Sequence, residues 1–163
     1  MDRDLPRSVK LATVWLLLGA AVFVGVQWWL KREAQAQFQT RGAAVEIARG
    51  RDGHYHGPGS INGRAVDFLI DTGATGTAIP AALARELNLE PVGTLRSNTA
   101  GGVVTGQLVR ADLELRGGFS VRRLPVVALP GLADNPLLGM DVLGRLRWQQ
   151  RDAVLRIEGN AAP

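Results

Sequence analysis

Phe68-Leu69-Ile70-Asp71-Thr72-Gly73-Ala74-Thr75 sets an apolar run directly ahead of a carboxylate and a short turn of small residues. Behind Arg64-Ala65-Val66-Asp67 the run reads as the end of a buried strand, and Asp71 falls where that strand gives way to a loop. A carboxylate placed against apolar sequence needs a reason, because burying an unpaired charge costs several kcal/mol. Catalysis is one such reason. Gly73 lets the backbone turn tightly and approach a partner, Thr72 can hydrogen-bond across an interface, and Ala74 leaves the surroundings small. The plainer alternative is a strand that ends in an Asx or type I turn, where Asp, Thr and Gly are all ordinary residues.

Working outward, the pattern around this stretch is that of short strands. Val45 to Ala48, His54 to Ile61 and Arg64 to Ile70 are apolar runs separated by Arg51-Asp52-Gly53 and by Asn62-Gly63, and Asn-Gly between two runs is a strong hairpin signal. Thr77-Ala78-Ile79 reads as a short strand, and Pro80 as the first residue of a helix through Leu87. Thr94 to Ala100 and Val103 to Leu115 alternate as a second hairpin with Gly101-Gly102 at its tip. Val121 to Leu129 is a further strand broken by Pro125, and Arg147 to Ile157 a closing strand pair. A second apolar-apolar-Gly element, Leu137-Leu138-Gly139, lies well downstream and runs into Met140 to Leu146.

Composition points to the same class. The chain has 163 residues with 20 Gly and 8 Pro, which suits a loop-rich or all-β domain better than a helical bundle. It has no Cys, which excludes disulfides, a thiolate nucleophile and Cys-ligated zinc. Residues 42–163 carry 13 basic and 12 acidic side chains, so the folded part is near neutral. A nucleic-acid binder concentrates basic charge on its folded domain, and the single pair Arg122-Arg123 reads as solvated surface.

Residues 11–30 contain no charge and match the roughly 20 residues that a membrane-spanning helix requires. Arg7 and Lys10 before the run, Lys31 and Arg32 after it, and Trp15, Trp28 and Trp29 near its ends fit interfacial positions. The alternative is a cleaved signal peptide, for which Ala34-Gln35-Ala36 would serve as a cleavage site, but the run is longer than a signal core. The expected organisation is therefore a short segment 1–10, a transmembrane helix 11–30, a tether 31–44, a β domain 45–158 and a tail 159–163. Basic residues balance on the two sides of the helix and fix no orientation.

With these residues in view, the chain resembles the retropepsin-like aspartic proteases, and most closely the small membrane-anchored bacterial members, over about residues 45 to 158. The resemblance implies a closed, barrel-like all-β domain with one or two short helices. It implies that Asp71 is catalytic, that Thr72, Gly73, Ala74 and Thr75 support the active-site loop, and that Leu137-Leu138-Gly139 is the late apolar-apolar-Gly loop that runs into a short helix. Thr99, Ala100, Gly101, Gly102 and Val103 would be the tip of a flap, with Val103, Val104 and Leu137 as apolar cleft walls. It also suggests a bacterial inner-membrane protein with its catalytic domain in the periplasm, acting on peptide or protein substrates without a metal or other cofactor.

Peptide hydrolysis by carboxylates needs one ionised group to take a proton from water and one neutral group to give a proton to the scissile carbonyl. Two Asp carboxylates about 3 Å apart share one proton and supply both. Only one Asp-Thr-Gly is present, and Asp141 lacks the following Thr-Gly and suits the first turn of a helix. The second carboxylate is therefore expected from another copy of the chain, in a two-fold homodimer where Thr72 would bond the opposing loop as its counterpart does in the family. Ala74 has no hydroxyl to hydrogen-bond an ionised pair, so a mildly acidic optimum is expected.

Other candidates carry less. His54 and His56 share one strand face at a spacing that suits two metal ligands, but no third is near in sequence. Asp-x-Gly-x-Thr also occurs in the phosphate loop of actin-like sugar kinases, whose two large α/β domains do not fit in this chain. Phe38 in the tether is a conceivable self-cleavage point. A membrane-tethered β domain that binds peptides or partner proteins without cleaving them is the competing reading, and Asp71 is the residue that separates the two.

Overall fold

The computed structural model describes residues 7–34, 37–40, 44–99, 102–132 and 134–158, which form two units, 1–35 and 36–163. The first is the helix α1, Arg7–Ala34. Its side chains Val14, Trp15, Leu16, Leu17 and Leu18 are all exposed, although successive residues point to different sides of a helix. Among the described residues no helix is long and apolar enough to cross a membrane.

The second unit is all-β, with strands β1 (Gln37–Thr40), β2 (Val45–Ala48), β3 (Tyr55–Ile61), β4 (Arg64–Ile70), β5 (Ala78–Pro80), β6 (Gly93–Thr99), β7 (Gly102–Leu115), β8 (Phe119–Leu129), β9 (Leu137–Leu138), β10 (Arg147–Arg151) and β11 (Val154–Glu158). Two short helices, α2 (Ala81–Glu86) and α3 (Met140–Leu143), complete it. Six strands close into a barrel in the order β8-β5-β9-β4-β3-β7, with β7 returning to β8. β1 and β6 extend the sheet outside the ring, and β10-β11-β2 makes a separate three-stranded sheet.

The hairpin β3–β4 follows from its turn. Asn62 and Gly63 both have positive φ, 47° and 80°, as a two-residue turn matching the twist of its strands requires. Register then follows from burial: Phe68 and Ile70 point inward, while Asp67 and Leu69 point outward, so Asp71 continues the outward set. Asn62 is also held at both ends of its residue, since its N–H donates to the Asp112 carbonyl and its Oδ1 accepts from the Asp112 N–H, each at 2.8 Å. Ile61, Phe68, Ile79, Val109, Val121, Val126, Leu138 and Val142 fill the barrel with no exposed surface.

Four local expectations are corrected. Residues Gln37–Thr40 of the expected tether form β1, antiparallel to Arg122–Phe119 of β8. Pro80 ends β5 and precedes α2 as its N-cap residue, one position earlier than a first helical residue. β8 is continuous through Pro125, because the ladder shifts register between Ala111 and Leu113 and the Asp112 carboxylate accepts the Arg123 N–H at 2.7 Å. The missing proline N–H falls beside a bulge, where the ladder has already loosened. At the second hairpin Gly102 is a strand residue paired with Thr99, so the connection is Ala100-Gly101, which lies outside the described residues.

Candidate active site

Asp71 stands at the end of β4, half-buried, where its backbone N–H donates to the Leu138 carbonyl at 3.0 Å. That bond extends the parallel pairing of Leu69 with Leu137 and Ile70 with Leu138. Its Oδ1 accepts the Gly73 N–H at 2.8 Å, and the Ala74 N–H reaches the Asp71 carbonyl at 3.3 Å. The turn thus forms around the carboxylate itself. Thr72, Gly73 and Thr75 are exposed and Ala74 is half-buried, so the loop offers an open outer face in the single chain.

The second loop is laced to the first. The Met140 N–H donates to the Ala74 carbonyl at 2.8 Å, and the Asp141 N–H to the Thr75 carbonyl at 3.1 Å. Gly139 lies against Gly76, where a Cβ would meet the Gly76 carbonyl carbon at 2.5 Å. Only glycine permits backbones that close. The structure thus brings Asp71–Thr75 and Leu137-Leu138-Gly139 together through backbone contacts.

Sequence reasoning missed the fastening between the loops. Asp141 sits in the first turn of α3 as expected, but its carboxylate serves Thr77: Oδ2 accepts the Thr77 N–H at 3.0 Å and Oδ1 accepts the Thr77 hydroxyl at 2.8 Å. Oδ1 also takes the Val142 N–H at 3.0 Å. Both oxygens are thus occupied. Thr77 is a buried polar residue only 1% exposed, and its hydroxyl oxygen accepts the Gly139 N–H at 3.2 Å. The one signal in sequence was a threonine opening an apolar strand, and its partner lies 64 residues away.

The flap residues are placed unevenly. Thr99 and Gly102 are paired at the end of the β6–β7 hairpin, while Ala100 and Gly101 lie outside the described residues. Val103 is 58% exposed, whereas Val104 is half-buried. Adjacent strand residues face opposite sides, so these two cannot line the same wall. Leu137 is half-buried beside Leu69 on the outward face that Asp71 continues.

The histidines occupy a different arrangement. His56 Nε2 lies 2.7 Å from Asp52 Oδ2, and its Nδ1 lies 3.6 Å from Asp67 Oδ2. The hydrogen bond from His56, with the His54 N–H on Asp52 Oδ1, holds the Asp52 carboxyl below the usual carboxylate range. Among the described residues no three His, Cys, Asp or Glu side chains are grouped so as to hold a metal ion. An apolar crevice lined by Val45, Ile47, Leu115, Phe119, Leu146 and Ile157 lies beneath the three-stranded sheet, away from Asp71.

Residues 57–145 match the family described as gag-polyprotein putative aspartyl protease. No curated protein matches the chain. Among solved structures, a retropepsin-like aspartic protease from Rickettsia conorii is 22% identical, with 74% of this chain and 94% of that one covered at a TM-score of 0.57. The simian foamy virus protease is also 22% identical, covering 55% and 91% at a TM-score of 0.43. The retroviral protease-like domain of Ddi1 from Leishmania major is 15% identical, covering 70% and 94% at 0.43. The family match takes in β4, the Asp71 loop and the Leu137–Gly139 loop laced to it, more than half of the sequence, and the chain belongs to the retropepsin-like aspartic protease family.

Proposed function

We propose that this protein is a membrane-anchored aspartic endopeptidase whose two catalytic carboxylates are Asp71 and Asp71 of the partner subunit in a homodimer. The observation that carries the reading is the contrast between the two acids of the paired loops. Asp141 has both oxygens engaged, while Asp71 accepts one hydrogen bond within its own turn and sits on an exposed loop face. Of these two acids Asp71 alone is left for chemistry, and general acid–base hydrolysis needs two carboxylates. A two-fold axis beside Asp71 supplies the second.

In that dimer the ionised member of the pair takes a proton from a water as its oxygen attacks the peptide carbonyl carbon. The neutral member gives its proton to the carbonyl oxygen, forming a tetrahedral diol. Proton return to the amide nitrogen, with collapse of the diol, breaks the C–N bond and leaves a carboxylic acid and an amine. Thr72, exposed next to Asp71, is the residue positioned to bond the opposing loop. The β6–β7 hairpin would cover an extended peptide by strand pairing, the mode in which an exposed sheet edge binds substrate.

The anchor is α1. A helix apolar on every side has no aqueous environment that suits it, and twenty uncharged residues at about 1.5 Å each match the roughly 30 Å hydrocarbon layer. Confinement to one plane would raise the effective concentration of two copies and favour the dimer. We place the barrel on the periplasmic side of a bacterial inner membrane, which labelling of single introduced cysteines with an impermeant reagent would test.

The deciding experiment is hydrolysis of a peptide library by the full chain between pH 3 and 8, beside Asp71→Asn. Cleavage by the wild type and none by the variant, with peptide binding retained in both, is the expected result. Binding without cleavage in both would make the protein a peptide-binding module instead.

A further inference from the structure

We infer that Thr77 and Asp141 are positioning residues for Asp71, acting as a hydroxyl-and-carboxylate clamp that sets the height of the catalytic loop against the Leu137–Gly139 loop. The inference rests on Asp71 being the hydrolytic carboxylate. Neither residue approaches Asp71 directly; both act through backbone.

The direction of every hydrogen bond in the clamp is fixed by chemistry. A threonine hydroxyl has one proton, and here it is given to Asp141 Oδ1, so its oxygen is left to accept the Gly139 N–H. Asp141 receives three donors, the Thr77 N–H, the Thr77 hydroxyl and the Val142 N–H. A carboxylate is acceptor-only and fits such a place; a carboxamide would turn an N–H against a donor. The relay therefore runs one way, from Gly139 through Thr77 to Asp141.

Its consequence reaches Asp71 along two short paths. Gly139 follows Leu138, whose carbonyl takes the Asp71 N–H, and Asp141 adjoins Met140, whose N–H is on the Ala74 carbonyl. Thr77 is further tied to β8, since its carbonyl accepts the Val127 N–H at 3.1 Å. The clamp thus holds the loop at its far end from Asp71 to a rigid strand of the barrel. A carboxylate that must share a proton across a two-fold axis tolerates little displacement, because misplacement of about 1 Å can cost on the order of a hundredfold in rate.

The test uses the full chain in detergent with a peptide it cleaves, and three variants: Thr77→Val, Thr77→Ser and Asp141→Asn. Thr77→Val keeps the shape and loses the hydroxyl. We expect kcat to fall at least tenfold with KM within twofold in Thr77→Val and Asp141→Asn, and Thr77→Ser to stay within twofold of wild type. Amide hydrogen exchange gives a second readout independent of catalysis. The Asp71, Met140 and Asp141 amides should exchange at least tenfold faster in Thr77→Val, while those of Val109 and Val126 in the barrel keep their wild-type protection. Unchanged kcat, or unchanged exchange at those three amides, overturns the clamp. So does unfolding of both Thr77→Val and Asp141→Asn, which would make the pair a support of the whole barrel. If wild-type protein cleaves nothing, the proteolytic reading fails, and the exchange measurement still decides whether the clamp positions the loop.

Discussion

The loops that meet at Asp71 and the hairpin β6–β7 belong to one sheet but are held in opposite ways. Asp71–Thr77 and Leu137–Asp141 are joined by backbone bonds from Asp71, Met140 and Asp141, by the Thr77–Asp141 clamp and by direct contact of Gly76 with Gly139. Among the described residues β6 has a single neighbour, β7, and the hairpin leaves Leu95 and Val103 exposed. Under the proposed function the difference would divide the labour of a peptidase: the loop that carries Asp71 is held by many short bonds, and the hairpin that would cover a peptide is held by one neighbour. A hairpin with a free edge can take up one more strand, and a doubly laced loop cannot.

The comparison is sharpest when broken at its fixed side. Asp71→Asn removes the carboxylate proposed to be catalytic and should lower kcat by roughly a thousandfold or more, read in the peptide assay, with the thermal midpoint barely moved. Gly139→Ala comes next. Its methyl would meet the Gly76 backbone at 2.5 Å, and with backbone on both sides relief requires the loops to part. We expect a destabilisation of about 1–3 kcal/mol in urea unfolding together with a loss of activity larger than stability alone explains.

On the hairpin side the effects should be smaller and should fall on binding. Val103→Ser, at an exposed strand position of the hairpin, is expected to raise KM a few-fold while leaving kcat within about twofold, which initial-rate measurements would separate. A fall in kcat equal to that of Gly139→Ala would erase the distinction between the two regions. Ala74→Ser introduces a hydroxyl in the loop that forms around Asp71, and by favouring an ionised pair it should move the pH optimum to the acid side by about one unit or less.

The smallest effect lies away from both regions, at Asp52. Its folded-state pKa is depressed by His56, so its contribution to stability is present above the unfolded carboxylate value of about 3.9 and is lost as pH falls through the lower folded value. The exposed position of Asp52 keeps the contribution small. Asp52→Asn should lower the thermal midpoint slightly near pH 6 and make no difference near pH 2, as scanning calorimetry would show.

Local sequence was enough for the features that depend on neighbouring residues. Asn62-Gly63 dictates its turn because both positions need positive φ, and the alternation of Phe68 and Ile70 against Asp67 and Leu69 sets which face Asp71 joins. Gln37–Thr40 carries no such pattern, and it becomes a strand because the edge of β8 supplies the hydrogen bonds. Pro125 looked like a break, and a bulge in β8 itself, where Arg122 and Arg123 stand opposite Asp112 of β7, absorbs it. In these two corrections the deciding partner lies on another strand.

By itself, then, the sequence determined an apolar stretch free of charge, an all-β domain behind it, and one acid at the end of a strand followed by residues small enough to turn around it. These follow from side-chain period, composition and turn chemistry, which act over a few residues. Only the tertiary structure decided that Gly139 must be bare to meet Gly76, that Asp141 is consumed by Thr77, and that the Asp71 carboxylate is bonded within its own turn. Those outcomes depend on which backbone groups two distant loops bring within about 3 Å of each other, and hydrogen-bond geometry at that range is settled by the closed barrel.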